Sequence, residues 1–161
     1  MKVAKELVVK LQEHDLRVVF AESCTAGLIS ATLGLVPGVS SYLCGSAVVY
    51  REQTKMAWLD VAPDTLAEHT AESLATTRQI ATGVLEKTPE ADLALGITGH
   101  FGPNAPEEID GQVFIAAYRR DEHQGTHLLA ESAFQLMTAS RADRQREAVS
   151  TALRFLVELI P

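Results

Sequence analysis

Arg17-Val18-Val19-Phe20-Ala21-Glu22-Ser23-Cys24-Thr25-Ala26-Gly27 passes without a spacer from an apolar run into a polar turn, and small and aliphatic residues then continue to Leu35. The run Arg17–Ala21 is short, β-branched and aromatic with no polar alternation, which predicts a strand buried on both faces. Ala26–Leu35 predicts a helix, punctuated by Pro37-Gly38. A buried strand that turns straight into a helix is half of a βα unit. In open sheets built from such units, ligands bind beyond the carboxyl ends of the strands. Ser23 would then stand beside the unpaired N–H groups of a helix start, which can stabilise an anion or a developing oxyanion.

Working outward, Val3, Leu7, Val8 and Leu11 recur at helical spacing and Asp15 ends that helix. Gly45–Tyr50 is a second apolar strand, and Glu52–Leu59 is a polar-apolar segment of undecided type. Asp60–Thr70, with Pro63, is a short helical connector, and a longer helix runs from about Ala71 to Lys87. Ala91–Thr98 is a third strand, followed by a loop from Gly99 to Gly111 carrying Gly102, Pro103, Asn104 and Pro106. Gln112–Tyr118 and Thr126–Phe134 read as two strands joined around Asp121-Glu122-His123-Gln124-Gly125, antiparallel if the connection is a hairpin. Val149, Ala152, Leu153, Leu156 and Ile160 form a helical stripe, and Ser140 with Asp143 marks its start as a capping box. The order is helix-strand-helix-strand-helix-helix-strand-strand-strand-helix. It predicts an α/β fold, a three-layer α/β/α arrangement around a mixed sheet, as one domain over residues 1–161.

The chain has 161 residues, 47% of them hydrophobic and 22% charged, with a formal net charge of -7. This acidic balance opposes nucleic-acid and membrane-surface binding, both of which want a positive field. Cys24 and Cys44 have no metal-ligand spacing and make no disulfide framework, which fits reduced thiols and a cytoplasmic location. His123 and His127 flank a turn glycine and are not a helical metal pair, so no metal and no cofactor is expected.

Three strand ends carry candidate chemistry: Glu22-Ser23-Cys24-Thr25, Tyr50 with Lys55 five residues on, and Thr98-Gly99 leading into the glycine and proline loop. Each also has a structural alternative. Ser23 and Thr25 suit helix N-caps, Cys24 suits a packed small hydrophobe, and Lys55 a solvated lysine. Arg141, Arg144 and Arg146 crowd the start of the last helix, where the dipole disfavours positive charge unless an anion or carboxylate sits among them. Asp143 and Glu147 supply part of that compensation; a phosphate or carboxylate clamp is the other use of such a cluster.

Taken together, Ala21-Glu22-Ser23-Cys24-Thr25-Ala26-Gly27, Pro37-Gly38-Val39-Ser40-Ser41, Val48-Val49-Tyr50, Lys55, Leu59-Asp60-Val61, Thr98-Gly99-x-x-Gly102-Pro103 and Gly111-x-Val113-Phe114-Ile115-Ala116 resemble, in order and spacing, the CinA C-terminal family. The resemblance covers nearly the whole chain. It implies deamidation of nicotinamide mononucleotide to nicotinic acid mononucleotide and ammonia, with Ser23 as nucleophile and Lys55, helped by Tyr50, as base. It further implies substrate contacts from Cys24, Thr25, Gly27, Ser40, Thr98, Gly99, Gly102, Arg141 and Arg146, a small-molecule nucleotide partner, and a homo-oligomer with a dimer favoured. Residue 1 stands just before the first helix, so a standalone form is expected.

The chain departs from the family pattern at several points. Ala26 replaces a glycine, and His100-Phe101 replaces two smaller residues. Asn104–Asp110 is short and lacks the usual glycines and lysine. Glu72-Ser73-Leu74 stands where the family has V-S-E, so a carboxylate is expected to be missing there, and Gln145 replaces an arginine. These changes leave open a catalytically altered or inactive nucleotide-binding or regulatory member. A cysteine enzyme using Cys24 is a third alternative.

Overall fold

The computed structural model describes residues 1–121 and 123–161; Glu122, which the sequence places in the turn of the last two strands, lies outside the described residues. Six α-helices and five strands are present among the described residues: α1 (Lys2–Glu13), β1 (Val18–Glu22), α2 (Leu28–Gly34), β2 (Leu43–Val48), α3 (Glu52–Leu59), α4 (Pro63–His69), α5 (Leu74–Glu86), β3 (Leu93–Gly99), β4 (Gln112–Asp121), β5 (Gly125–Gln135) and α6 (Arg141–Leu159). The sheet order is β2-β1-β3-β4-β5. β1, β2 and β3 run parallel, whereas β4 and β5 are antiparallel to their neighbours, so the sheet is mixed.

Strand alternation divides the core in two. Val18 and Phe20, with Leu93, Leu95 and Ile97, pack on one face against α1, α2 and α6. Val19, Ala21 and Ala94 point to the other, where α3, α4 and α5 cover them with Leu59, Leu66, Ile80 and Val84. All five β1 residues are buried: Val18–Ala21 as the apolar run requires, and Glu22 because its carboxylate is fully hydrogen-bonded inside. At the middle of β3, Gly96 lets α5 approach: a Cβ there would lie 2.7 Å from the Thr77 carbonyl. The stripe on α6 is buried as its spacing dictates, and Ser140 Oγ accepts from the Asp143 amide at 3.1 Å to cap it.

Several elements differ from the sequence expectation. α2 starts at Leu28, because Ala26 (φ 51°) and Gly27 (φ 92°) are left-handed and belong to the turn. β2 is shifted back to Leu43–Val48; a bulge at Cys44 alters its register against β1, and just past the strand the Val49 amide still donates to the Glu22 carbonyl at 2.8 Å. The undecided segment Glu52–Leu59 is a complete helix whose buried face consists of Lys55 and Leu59. The final hairpin is longer at both ends, with the Asp121 carboxylate accepting from the amides of His123 and Gln124.

Candidate active site

At the end of β1 successive side chains go to alternate faces. Glu22 turns toward α2 and is fully buried. Its Oε2 accepts from Thr25 Oγ1 (2.8 Å) and the Ile29 amide (3.0 Å), and its Oε1 from the Ser30 amide and Ser46 Oγ (both 3.0 Å). The carboxylate thus caps α2 from the strand before it, where the helix dipole favours a negative charge. Ser23 faces the opposite side, and the Ser23 amide donates to the Ile97 carbonyl of β3 at 3.1 Å. The backbone N–H groups of Cys24 and Thr25 donate to no oxygen acceptor among the described residues. An unpaired N–H in a turn beside Ser23 is the kind of donor that an oxyanion formed there needs, although the Cys24 N–H also lies against its own thiol.

Lys55 comes to Ser23 from α3. Its ammonium nitrogen is 0% exposed with its side chain and donates to Ser23 Oγ at 3.0 Å, to the Val49 carbonyl at 2.9 Å and to the Tyr50 carbonyl at 3.4 Å. Burial pulls its pKa below the ordinary lysine value, opposed by the charge of Glu72 and, less, by Cys24 and Glu52. A lysine that ionises less readily and touches a serine hydroxyl is the arrangement a serine nucleophile needs in the absence of histidine.

Ser23 opens into a pocket of about 330 Å³, walled by Cys24, Tyr50, Glu72, Gly99, Phe101 and Arg141 among others, with the segment 99–106 as one side. Gly99 is pressed on β4, where a Cβ would lie 2.6 Å from Val113 Cγ1. Gly102 (φ 63°) precedes a cis peptide bond to Pro103. His100 and Phe101, which stand where the family has smaller residues, both line the pocket; Phe101 is 4% exposed, its ring continuous with the core, and the Arg141 guanidinium lies 6.0 Å above it. Arg141 donates to the Gly102 carbonyl and, at 2.6 Å, to the Tyr50 hydroxyl. The Tyr50 hydroxyl therefore meets Arg141 and not Lys55, and Tyr50 meets the lysine through its carbonyl.

The three arginines have different fates. Arg144 grips Asp110 with two bonds (2.7 and 2.8 Å), which hold the Asp110 carboxyl below its usual range. Arg146 pairs with Asp143 on the outer surface and does not line the pocket, which corrects its expected role. Among the described residues, Arg141 is the one of the three with no carboxylate partner.

Several other expected contacts are also displaced. Ser40 is exposed in a one-turn 3-10 helix (Val39–Ser41) beside the start of the parallel strands, where the Val18 amide donates to Tyr42 O. That is the opposite end of the sheet from the pocket, so Ser40 does not reach it. Thr25 is buried on Glu22, and Gly27 shapes the turn against Val48. Thr98 donates inward to Thr77 Oγ1 at 2.9 Å, since Thr77 already donates to the Ser73 carbonyl. Cys24 touches the pocket wall, but burial pushes its thiol up to about 12, which removes it as a nucleophile near neutral pH.

Two residues that the sequence marks only as departures from the family pattern take a place at the site. Glu72 supplies a carboxylate to the pocket wall just before the helix cap, while the position of the family's own carboxylate holds Leu74, the first residue of α5. Gln145, on the pocket side of α6, donates to the Thr25 carbonyl at 3.1 Å and ties that helix to the reactive turn.

The CinA C-terminal domain family matches residues 1–160. The chain is 36% identical over 152 residues to a protein of Lacticaseibacillus casei named as competence-damage inducible, covering 94% of this chain and 35% of that protein. It is 46% identical over 98 residues to a CinA-like protein of Myxococcus xanthus, covering 60% and 23% respectively. The chain thus spans about a third or less of these relatives. Among solved structures, a competence/damage inducible protein from Agrobacterium tumefaciens matches at a TM-score of 0.89 with 29% identity, over 98% of this chain and 93% of that one. A CinA superfamily protein from Klebsiella pneumoniae matches at 0.87 with 25% identity, over 98% and 94%.

Proposed function

This chain belongs to the CinA C-terminal domain family, and from that premise we propose that it is an amidohydrolase that converts nicotinamide mononucleotide to nicotinic acid mononucleotide and ammonia. The observation that carries the reading is the 3.0 Å contact between the buried Lys55 Nζ and Ser23 Oγ. Ser23 Oγ adds to the carboxamide carbon while neutral Lys55 takes the hydroxyl proton. The charge that develops on the substrate oxygen falls beside the Cys24 and Thr25 amides. Collapse then breaks the C–N bond, Lys55 returns the proton to the departing nitrogen, and ammonia leaves. A water deprotonated by the same lysine splits the acyl-serine, giving the carboxylate and restoring Ser23.

Tyr50 acts in this scheme through its carbonyl, which holds Lys55 in place, and through its ring as pocket wall. Arg141, at the mouth and without a carboxylate, is the candidate for the nucleotide's phosphate. Gly99 and Gly102 give the substrate backbone-lined room. One observation favours a second reading, a nucleotide-binding member without turnover: Arg141 is tied across the mouth to Gly102 and Tyr50. Incubation of the purified chain with nicotinamide mononucleotide, with ammonia measured, separates the two. Ammonia release that disappears in Ser23→Ala and Lys55→Ala is the expected result; saturable binding with no release supports the second reading instead.

A further inference from the structure

Resting on that reading, we infer that Glu72 is a specificity-determining residue that selects amides carried on a positively charged aromatic ring over neutral ones. The charged groups around Lys55 and the pocket are few. Glu52 shares α3 with Lys55, His100 and Arg141 line the wall with Glu72, and Arg141 is already engaged by Gly102 and Tyr50. Glu72 is half-buried, lines the same pocket as Ser23, and makes no ion pair among the described residues. Its negative charge favours the protonated form of Lys55, the form that cannot act as a base. A carboxylate in that place opposes catalysis in the empty site. It ceases to do so when the substrate brings a cation, which neutralises Glu72 and adds a positive charge that favours the neutral amine.

The backbone supports a fixed role for this side chain. Thr70, two residues earlier, is a β-branched residue at φ 67°, ψ 170°. The Thr70 carbonyl accepts from Thr76 Oγ1 at 2.6 Å, and Thr70 Oγ1 donates to the Glu72 carbonyl at 3.4 Å. Ser73 then caps α5 by accepting from the Thr76 amide at 3.1 Å. A strained turn over-determined by its surroundings marks a position whose geometry matters. Here it sets Glu72 at the pocket rim.

The test uses nicotinamide mononucleotide and its dihydro form, which has the same amide and phosphate but a neutral ring. Both are titrated by calorimetry into Ser23→Ala, which prevents turnover, and into Ser23→Ala combined with Glu72→Gln or Glu72→Asp. The cationic form is expected to bind more tightly. Glu72→Gln should shrink the ratio of the two dissociation constants about tenfold, the equivalent of about 1.4 kcal/mol, whereas Glu72→Asp should keep most of it. An unchanged ratio in Glu72→Gln overturns the inference, whatever the unsubstituted chain does to the amide. A ratio that collapses as expected in a chain that releases no ammonia sustains the role of Glu72 and removes the amidase reading. Failure of both nucleotides to bind overturns both.

Discussion

Glu22→Gln changes one atom in the buried turn that presents Ser23, and its cost follows from the donors around that carboxylate. Each oxygen receives one hydroxyl and one backbone amide: Thr25 Oγ1 and the Ile29 N–H on one, Ser46 Oγ and the Ser30 N–H on the other. Whichever way the new side-chain amide is oriented, its NH2 faces one hydroxyl and one N–H. The hydroxyl can rotate and accept. The backbone N–H, buried at Ile29 and part-buried at Ser30, cannot and loses its partner, at a cost of roughly 1–3 kcal/mol. The bonds that remain also lose the assistance of a charged acceptor. A total near 3 kcal/mol, at about 2–4 °C per kcal/mol for a chain of this length, lowers the melting temperature by about 6–12 °C. Calorimetry or circular dichroism reads this directly, and Glu22→Asp, which keeps the charge but shortens the reach, should fall between. A melting temperature for Glu22→Gln within 2 °C of the unsubstituted chain would refute the reasoning, because the carboxylate would then not be the cap of α2.

Four further outcomes follow from the site. Burial lowers the pKa of Lys55 and its neutral form is the base, so kcat/KM should rise with pH through a midpoint below the lysine reference value of about 10.4; a midpoint at or above that value removes Lys55 as the base. Arg141→Gln should raise KM for a phosphorylated nucleotide about tenfold, with a smaller change in kcat and little change in melting temperature, since the arginine is exposed; an unaltered KM shows that the phosphate lies elsewhere. Iodoacetamide at neutral pH should leave Cys24 unmodified in the folded protein, given its burial and its thiol pKa of about 12; peptide mass mapping that finds Cys24 alkylated faster than Cys44 contradicts this. Ala26→Gly should stabilise by about 0.5–1 kcal/mol, because Ala26 sits at φ 51° and relief of left-handed strain exceeds the added chain entropy; a lower urea midpoint would argue that the methyl group packs usefully.

The parts legible in the sequence are those where one physical demand dominates. β1 and β3 are buried on both faces and read as apolar runs; α6 has one buried stripe and reads at helical spacing. α3 was hidden because the residue at the centre of its buried face is a lysine, which hydropathy scores as solvent-facing. β2 is shifted because its bulge at Cys44 breaks the alternation that sets register. Ser23 and Lys55 could be named from family resemblance, but only packing brings residues 32 apart to 3.0 Å. The arginines of α6 look alike as letters; whether each meets Asp110, Asp143 or the Tyr50 hydroxyl depends on which way the helix is rotated. Ser40 was misplaced because motif order along the chain does not tell one end of a sheet from the other. Glu72 lies outside any periodic stripe, one residue before a helix cap, where an acidic residue usually serves the dipole.

The loop after β3 is pinned at both ends to one turn of the same helix: Arg141 holds the Gly102 carbonyl and Arg144 holds Asp110. Residues 103–109 therefore form a cassette on a fixed mount, touching neither β1 nor Lys55 through any hydrogen bond among the described residues. Such a cassette can be lengthened, shortened or exchanged while the reactive pair stays undisturbed. The reactive pair and this part of the pocket wall are thereby mechanically separate, and a graft of that segment between relatives measures how much of any substrate preference the wall carries beside Glu72 and Arg141.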